Sequence, residues 1–163
     1  TIVLTLKTME DSFKEISSWL KLKKLTREKE YSLINLLEIL SNEFSSLIDF
    51  SKIECKEDKI LFTPASFHHF LYIFHNIFSN ISRHGNLNKK VLISIDEIDN
   101  EYFNIFVKNA HKNHFNEIIE NTGMKVIRAS LESINYSNTL NYNFNRTEFI
   151  YTLKLKKEGL IYG

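Results

Sequence analysis

The stretch HNIFSNISRHG, residues 75–85, gathers four polar groups inside an apolar helical pattern. Asn76 and Asn80 stand one turn apart, Arg83 follows on the same face, and His84 lies beside it more loosely. An asparagine carbonyl is a hard oxygen ligand of the kind magnesium takes, and a guanidinium matches phosphate oxygens. A helix face so equipped can hold a metal-bound nucleotide phosphate chain. Spacing alone favours a plainer reading, polar groups bordering a solvated helix face, so order and context must decide. Other groupings are weaker. His68, His69 and His75 have no carboxylate or cysteine at ligand spacing, and His111 and His114 read as polar loop surface. Trp19 and the phenylalanines read as core or helix seam, and the basic run 21–24 as a solvated helix end favoured by the helix dipole.

These residues need elements to position them. Met9, Phe13, Ile16 and Leu20 form one helical seam that should end near Leu25. Thr26 can cap a second helix, in which Leu33, Leu36, Leu37, Leu40, Phe44, Leu47, Ile48 and Ile53 keep the same period for roughly six turns. Residues 1–55 are therefore expected to form an antiparallel helical hairpin, and two such hairpins, from a homodimer, a four-helix bundle that buries both seams. After Ile53 the pattern changes. A polar linker leads to a short apolar edge strand, Ile60-Leu61-Phe62, and to the single proline, Pro64. Ser66 opens a helix apolar over more than half its circumference. Two strands follow around Asp99-Asn100, then a helix from Met124, then a second hairpin around Asn145-Arg146. Residues 60–163 thus read as an α+β sandwich with helices on one face of a mixed sheet.

Composition narrows the partners. With 21 lysines and arginines against 20 acidic residues, the net charge of +1 offers no electrostatic footprint for a nucleic acid. The lone Cys55 cannot form an internal disulfide and suits a reducing compartment, so a cytoplasmic location is expected. No window approaches the ~18 apolar residues of a membrane span, and no membrane insertion of this segment is expected.

The order of the motifs resembles a known family. NIFSNISRHG is similar to the asparagine-rich box of the histidine-kinase ATPase fold, shared with gyrase and MutL. That box runs Asn-apolar-apolar-x-Asn-Ala-x-basic-aromatic or His-small. Asn76, Asn80, Arg83, His84 and Gly85 fall on it in register, with Ile81 where alanine is usual. Upstream, Leu47, Asp49, Phe50, Ser51, Lys52, Ile53, Glu54 and Pro64 resemble the end of the second dimerisation helix of histidine kinases and the linker after it. Downstream, FNIFVKNAHKN stands where the family writes a strand followed by Asp-x-Gly-x-Gly. The segment from Gly123 resembles the closing helix and hairpin. The resemblance covers nearly the whole chain and implies magnesium on Asn80 and adenine reading at Asn109, should nucleotide bind.

Departures from the family pattern shape the functional expectation. Aligned on ISSWLKL, the position of the family phospho-histidine is Glu10, followed by Asp11, and no histidine precedes His68. Asn109 replaces the adenine-reading aspartate. His111 and Asn113 replace glycines, and 14 positions separate Asn109 from Gly123, little chain for a lid. Of the second glycine box Gly123 remains, and a phosphate cradle needs free amides at a helix start. The expectation is a degenerate module of two-component signalling, like a pseudokinase or phosphotransferase. It dimerises and presents Glu10, Asp11, Lys14 and its lysine run to a response-regulator receiver domain, with no cofactor. The alternative is a divergent histidine kinase that still binds ATP and magnesium through Asn76, Asn80, Arg83 and Asn109.

Overall fold

The computed structural model describes residues 30–56, 60–112 and 122–161. Helix α1, Leu33–Phe44, starts where Ser32 accepts from the Asn35 amide while the Asn35 side chain accepts from the Ser32 amide, a reciprocal capping box. It stops at Phe44, whose carbonyl receives the amides of both Leu47 and Ile48 at 2.9 and 2.8 Å. The helix expected to continue to Ile53 is broken here. The Asp49 side chain accepts from the Ser51 amide and hydroxyl, offering the backbone a competing turn. Phe50–Lys52 form one 3-10 turn and Ile53–Lys56 become strand β1. The phrase likened to the end of a dimerisation helix is thus a turn and an edge strand.

Helix α2, Phe67–His84, follows a 3-10 turn begun by Pro64 and buries eight side chains. It ends at Gly85, whose amide bonds to the Ile81 carbonyl at 2.7 Å; a Cβ there would lie 2.5 Å from that oxygen. Strands β2, Val91–Glu97, and β3, Tyr102–Ala110, form a hairpin in which Asp99 accepts from the amides of Glu101 and Tyr102. Helix α3, Thr122–Ile134, leads to strands β4, Thr139–Phe144, and β5, Glu148–Lys156. The sheet order is β1-β2-β3-β5-β4, with β1 parallel to β2 and the other pairs antiparallel. Alternate residues of the strands, among them Ile93, Ile105, Val107, Leu153 and Leu155, face the helices and are fully buried. The α+β class and the mixed sheet agree with the sequence reading.

One hydrophobic core runs from Tyr31 to Leu160. Tyr31 and Phe62 exchange backbone bonds, the Tyr31 ring packs on Phe62 and Phe67, and the Thr63 amide reaches the Leu160 carbonyl at 2.9 Å. The core therefore crosses the expected boundary between residues 55 and 60. Leu33, Leu36 and Leu40 of α1 are 0 % exposed in a single chain. At about 1.5–3 kcal/mol per buried side chain, the five apolar residues of that seam are worth roughly 10 kcal/mol, comparable with the net stability of a domain. That seam is internal, so it gives no reason for a second copy to cover it. The first helix of the expected hairpin, with Glu10, Asp11 and Lys14, lies outside the described residues. No described helix is long and apolar enough to cross a membrane.

Candidate functional site

The second half of α2 carries the asparagine box, and its amides are engaged locally. Asn76 donates to the Tyr72 carbonyl of its own helix at 2.9 Å. Asn80 reaches across to β5, where its Nδ2 donates to the Tyr151 hydroxyl at 3.4 Å. Its carbonyl, the atom magnesium would take, is not used in that bond. Arg83 and His84 are exposed at the end of the helix.

Asn109 occupies a helix-facing position near the end of β3 and is buried. Its Nδ2 donates to the Ala110 carbonyl at 3.0 Å, while its Oδ1 is buried and accepts no hydrogen bond among the described residues. Asn109 pairs with Phe149 and Val107 with Tyr151, so Asn109 and Tyr151 are diagonal neighbours on one face of the sheet. Asn80, Tyr151 and Asn109 therefore share a corner between α2 and the sheet. An aromatic row floors it: the Phe149 and Tyr151 rings are 4.6 Å apart and Tyr142 and Phe149 5.9 Å. Burial pushes the Tyr151 hydroxyl up to about 12, partly opposed by its bond to Asn80, so it stays neutral.

The backbone beyond Asn109 is spent on the protein itself. The Ala110 carbonyl receives the Asn86 amide at 2.7 Å, the His111 amide bonds to Thr147 at 3.2 Å, and the Lys112 amide to His84 at 3.0 Å. His111 was expected on a polar loop surface. It is buried, and its Nε2 lies 2.9 Å from the Asn145 carbonyl, fastening the end of β3 to the β4–β5 turn. Gly123 lies in the first turn of α3, with Lys125 exposed and Met124 buried beside it. Asn113 and His114 lie outside the described residues. Among described residues no histidine, cysteine or carboxylate group clusters as a metal site. His75 instead meets Glu43 of α1 at 2.7 Å.

Three residues here were missed from the sequence: Tyr142, Phe149 and Tyr151. The alternation in TLNYNF and EFIYTLKLK was the available signal for the aromatic row, since every second residue shares a face. Chemically the corner has two unlike ends. At the Asn109 end, an unanswered acceptor above aromatic rings suits a planar donor such as a purine. At the other end, the amides of His111 and Lys112 are bonded to the Thr147 and His84 carbonyls.

No family model matches the sequence, and no curated protein matches it. Solved structures do. The histidine kinase AdeS of Acinetobacter baumannii is similar over 94% of this chain and 83% of its own, with a TM-score of 0.63 at 13% identity. The histidine kinase domain of the blue-light-activated kinase of Erythrobacter litoralis is similar over 74% of this chain and 58% of its own, with a TM-score of 0.58 at 13% identity. The nucleotide-free catalytic domain of the histidine kinase ThkA matches over 79% of this chain and 96% of its own, at 0.58 and 13%. The fold is that of the histidine-kinase ATPase domain.

Proposed function

We propose that this chain is a signalling module of the two-component type that binds a response-regulator receiver domain without hydrolysing ATP. The observation offered for the reading is the backbone at residues 110–112, whose groups, just past the adenine-reading position that the family resemblance assigns to Asn109, are bonded to Asn86, Thr147 and His84. Removing several charge-assisted contacts at ~1.5–3 kcal/mol each turns a micromolar site into one no tighter than about millimolar. The absence of any histidine before His68 supports the same reading, because Glu10 has no nitrogen to accept a phosphoryl group. The deciding experiment is calorimetric titration with magnesium ATP. No saturation below roughly millimolar nucleotide is expected. Saturable micromolar binding abolished by Asn80→Ala would overturn the reading.

A second reading, a divergent kinase that still binds ATP, is favoured by one observation, the buried Oδ1 of Asn109. An unanswered buried acceptor costs about 1–3 kcal/mol, and an amino group of a purine would relieve it. The same titration separates the two readings.

A further inference from the structure

Among the described strands the sheet has two edges, β1 and β4. They are protected differently. Strand β1 is four residues long and carries Glu54 and Lys56, the charged, short form that discourages edge pairing. Strand β4, Thr139–Phe144, holds no charged residue and no proline, and all six residues pair with β5 in register without a bulge. Its outer-face residues, Thr139, Asn141 and Asn143, are exposed.

The direction of its backbone groups follows from two bonds. The Asn145 amide donates to the Glu148 carbonyl, so odd-numbered residues of this hairpin point their backbone groups at β5. The even-numbered Leu140, Tyr142 and Phe144 then point theirs away, in agreement with the Leu140 carbonyl being met from outside by Arg128 Nη1 at 2.8 Å. Arg128 covers one end of the edge, and Tyr142 and Phe144 present theirs outward.

We propose that this edge pairs with β4 of a second copy of the same chain, antiparallel, about a two-fold axis at Asn143. In that register Tyr142 of each copy faces Phe144 of the other. Such a directly opposed pair exchanges both N–H···O bonds, while Leu140, whose carbonyl Arg128 meets, falls opposite Arg146 beyond the end of the other copy's strand. The rows match as well. The aromatic pair falls on the helix side of the sheet, where Phe149 already stacks on Tyr142, and Asn143 meets Asn143 on the outer side, so no charge is buried. The self-complementary rows single out a second copy as the occupant. A single pair of strands buries less than the ~1,000 Å² of a stable interface, which makes the dimer weak, with a dissociation constant on the order of 10–100 µM.

The test is sedimentation of the full chain from roughly 10 µM to 1 mM, together with amide hydrogen exchange at both ends of that range. The mean mass should rise from 19.3 kDa toward twice that. The Tyr142 and Phe144 amides should gain protection with concentration while those of Asn141 and Asn143, already bonded to β5, should not. Asn143→Lys sets like charges across the axis on an exposed position and should weaken association roughly tenfold or more without changing the melting temperature. Phe144→Pro removes an outward amide and should do the same. A monomer throughout the range would overturn the proposal. So would a dimer whose strength ignores Asn143→Lys and whose Tyr142 and Phe144 amides exchange alike at both concentrations.

Discussion

Asn80 on α2 and Tyr151 on β5 are joined by an amide-to-hydroxyl bond of 3.4 Å that spans the helix layer and the sheet. Tyr151 is 4 % exposed, so its hydroxyl must be answered from within. Tyr151→Phe should cost about 0.5–1.5 kcal/mol in denaturant unfolding, the net worth of one such bond. It should also change the alkaline limb. The hydroxyl titrates at 10.0 when unfolded and near 12 when folded, so its contribution is whole below pH 10 and is lost as pH rises toward 12. Tyr151→Phe should therefore unfold less steeply over that window than the parent. Buried Tyr31, also pushed upward by burial, supplies the loss that remains. An unchanged alkaline limb would show that the Tyr151 hydroxyl is not held as described.

The buried seam of α1 makes a prediction that separates folding from association. Leu40 is 0 % exposed within one chain, and a glutamate there would carry a charge into the core. Leu40→Glu should cost more than about 3 kcal/mol and lose the cooperative unfolding transition, rather than yield a folded monomer. Circular dichroism with light scattering checks this. A folded, stable variant of altered mass would mean that the seam faces another chain.

The same helix shows what the sequence made legible and what it concealed. Helix α2 and the two hairpins were readable because their periods, near four and two, persist between clear breaks such as Pro64, Gly85 and Asp99-Asn100. The end of α1 was not readable, because Leu47, Ile48 and Ile53 continue the helical spacing by coincidence. A local competition decided it, in which the Asp49 side chain takes the Ser51 amide. At the candidate site the asparagine box was legible as a pattern. The orphan Oδ1 of Asn109 and the burial of His111 were not, since both depend on what β5 and its turn bring from about 35 residues away.

Acid should loosen the β2–β3 hairpin through Asp99. The backbone amides of Glu101 and Tyr102 hold its carboxyl below the ordinary 3.8. A depressed pKa means that this contribution is present above pH 3.8 and is lost as pH falls through the lower folded-state value. Asn at this position keeps an oxygen acceptor without the titration. Asp99→Asn should thus flatten the dependence of stability on pH below about 4 while leaving the fold unchanged. Melting temperatures across that range provide the check, and a parallel fall in both proteins would remove Asp99 from the account.

The receiver-binding proposal makes its strongest prediction at Glu10. A fixed carboxylate near the acidic pocket of a receiver costs energy unless a bound cation or one of the lysines at 21, 23 and 24 offsets it. Binding should therefore be transient and weaken as salt is raised, and phosphate should not move. Glu10→His supplies a nitrogen that can accept a phosphoryl group from a phosphorylated receiver. It leaves unchanged the ATPase-type domain, to which the proposal assigns no ATP hydrolysis. The variant should gain acid-labile phosphate from a phosphorylated receiver and none from ATP. Incubation of both proteins with phosphorylated receivers of the source organism, followed by detection of acid-labile label, is the measurement. Label on the unmodified chain would defeat the binding-only reading, and label on the variant from ATP alone would restore the kinase.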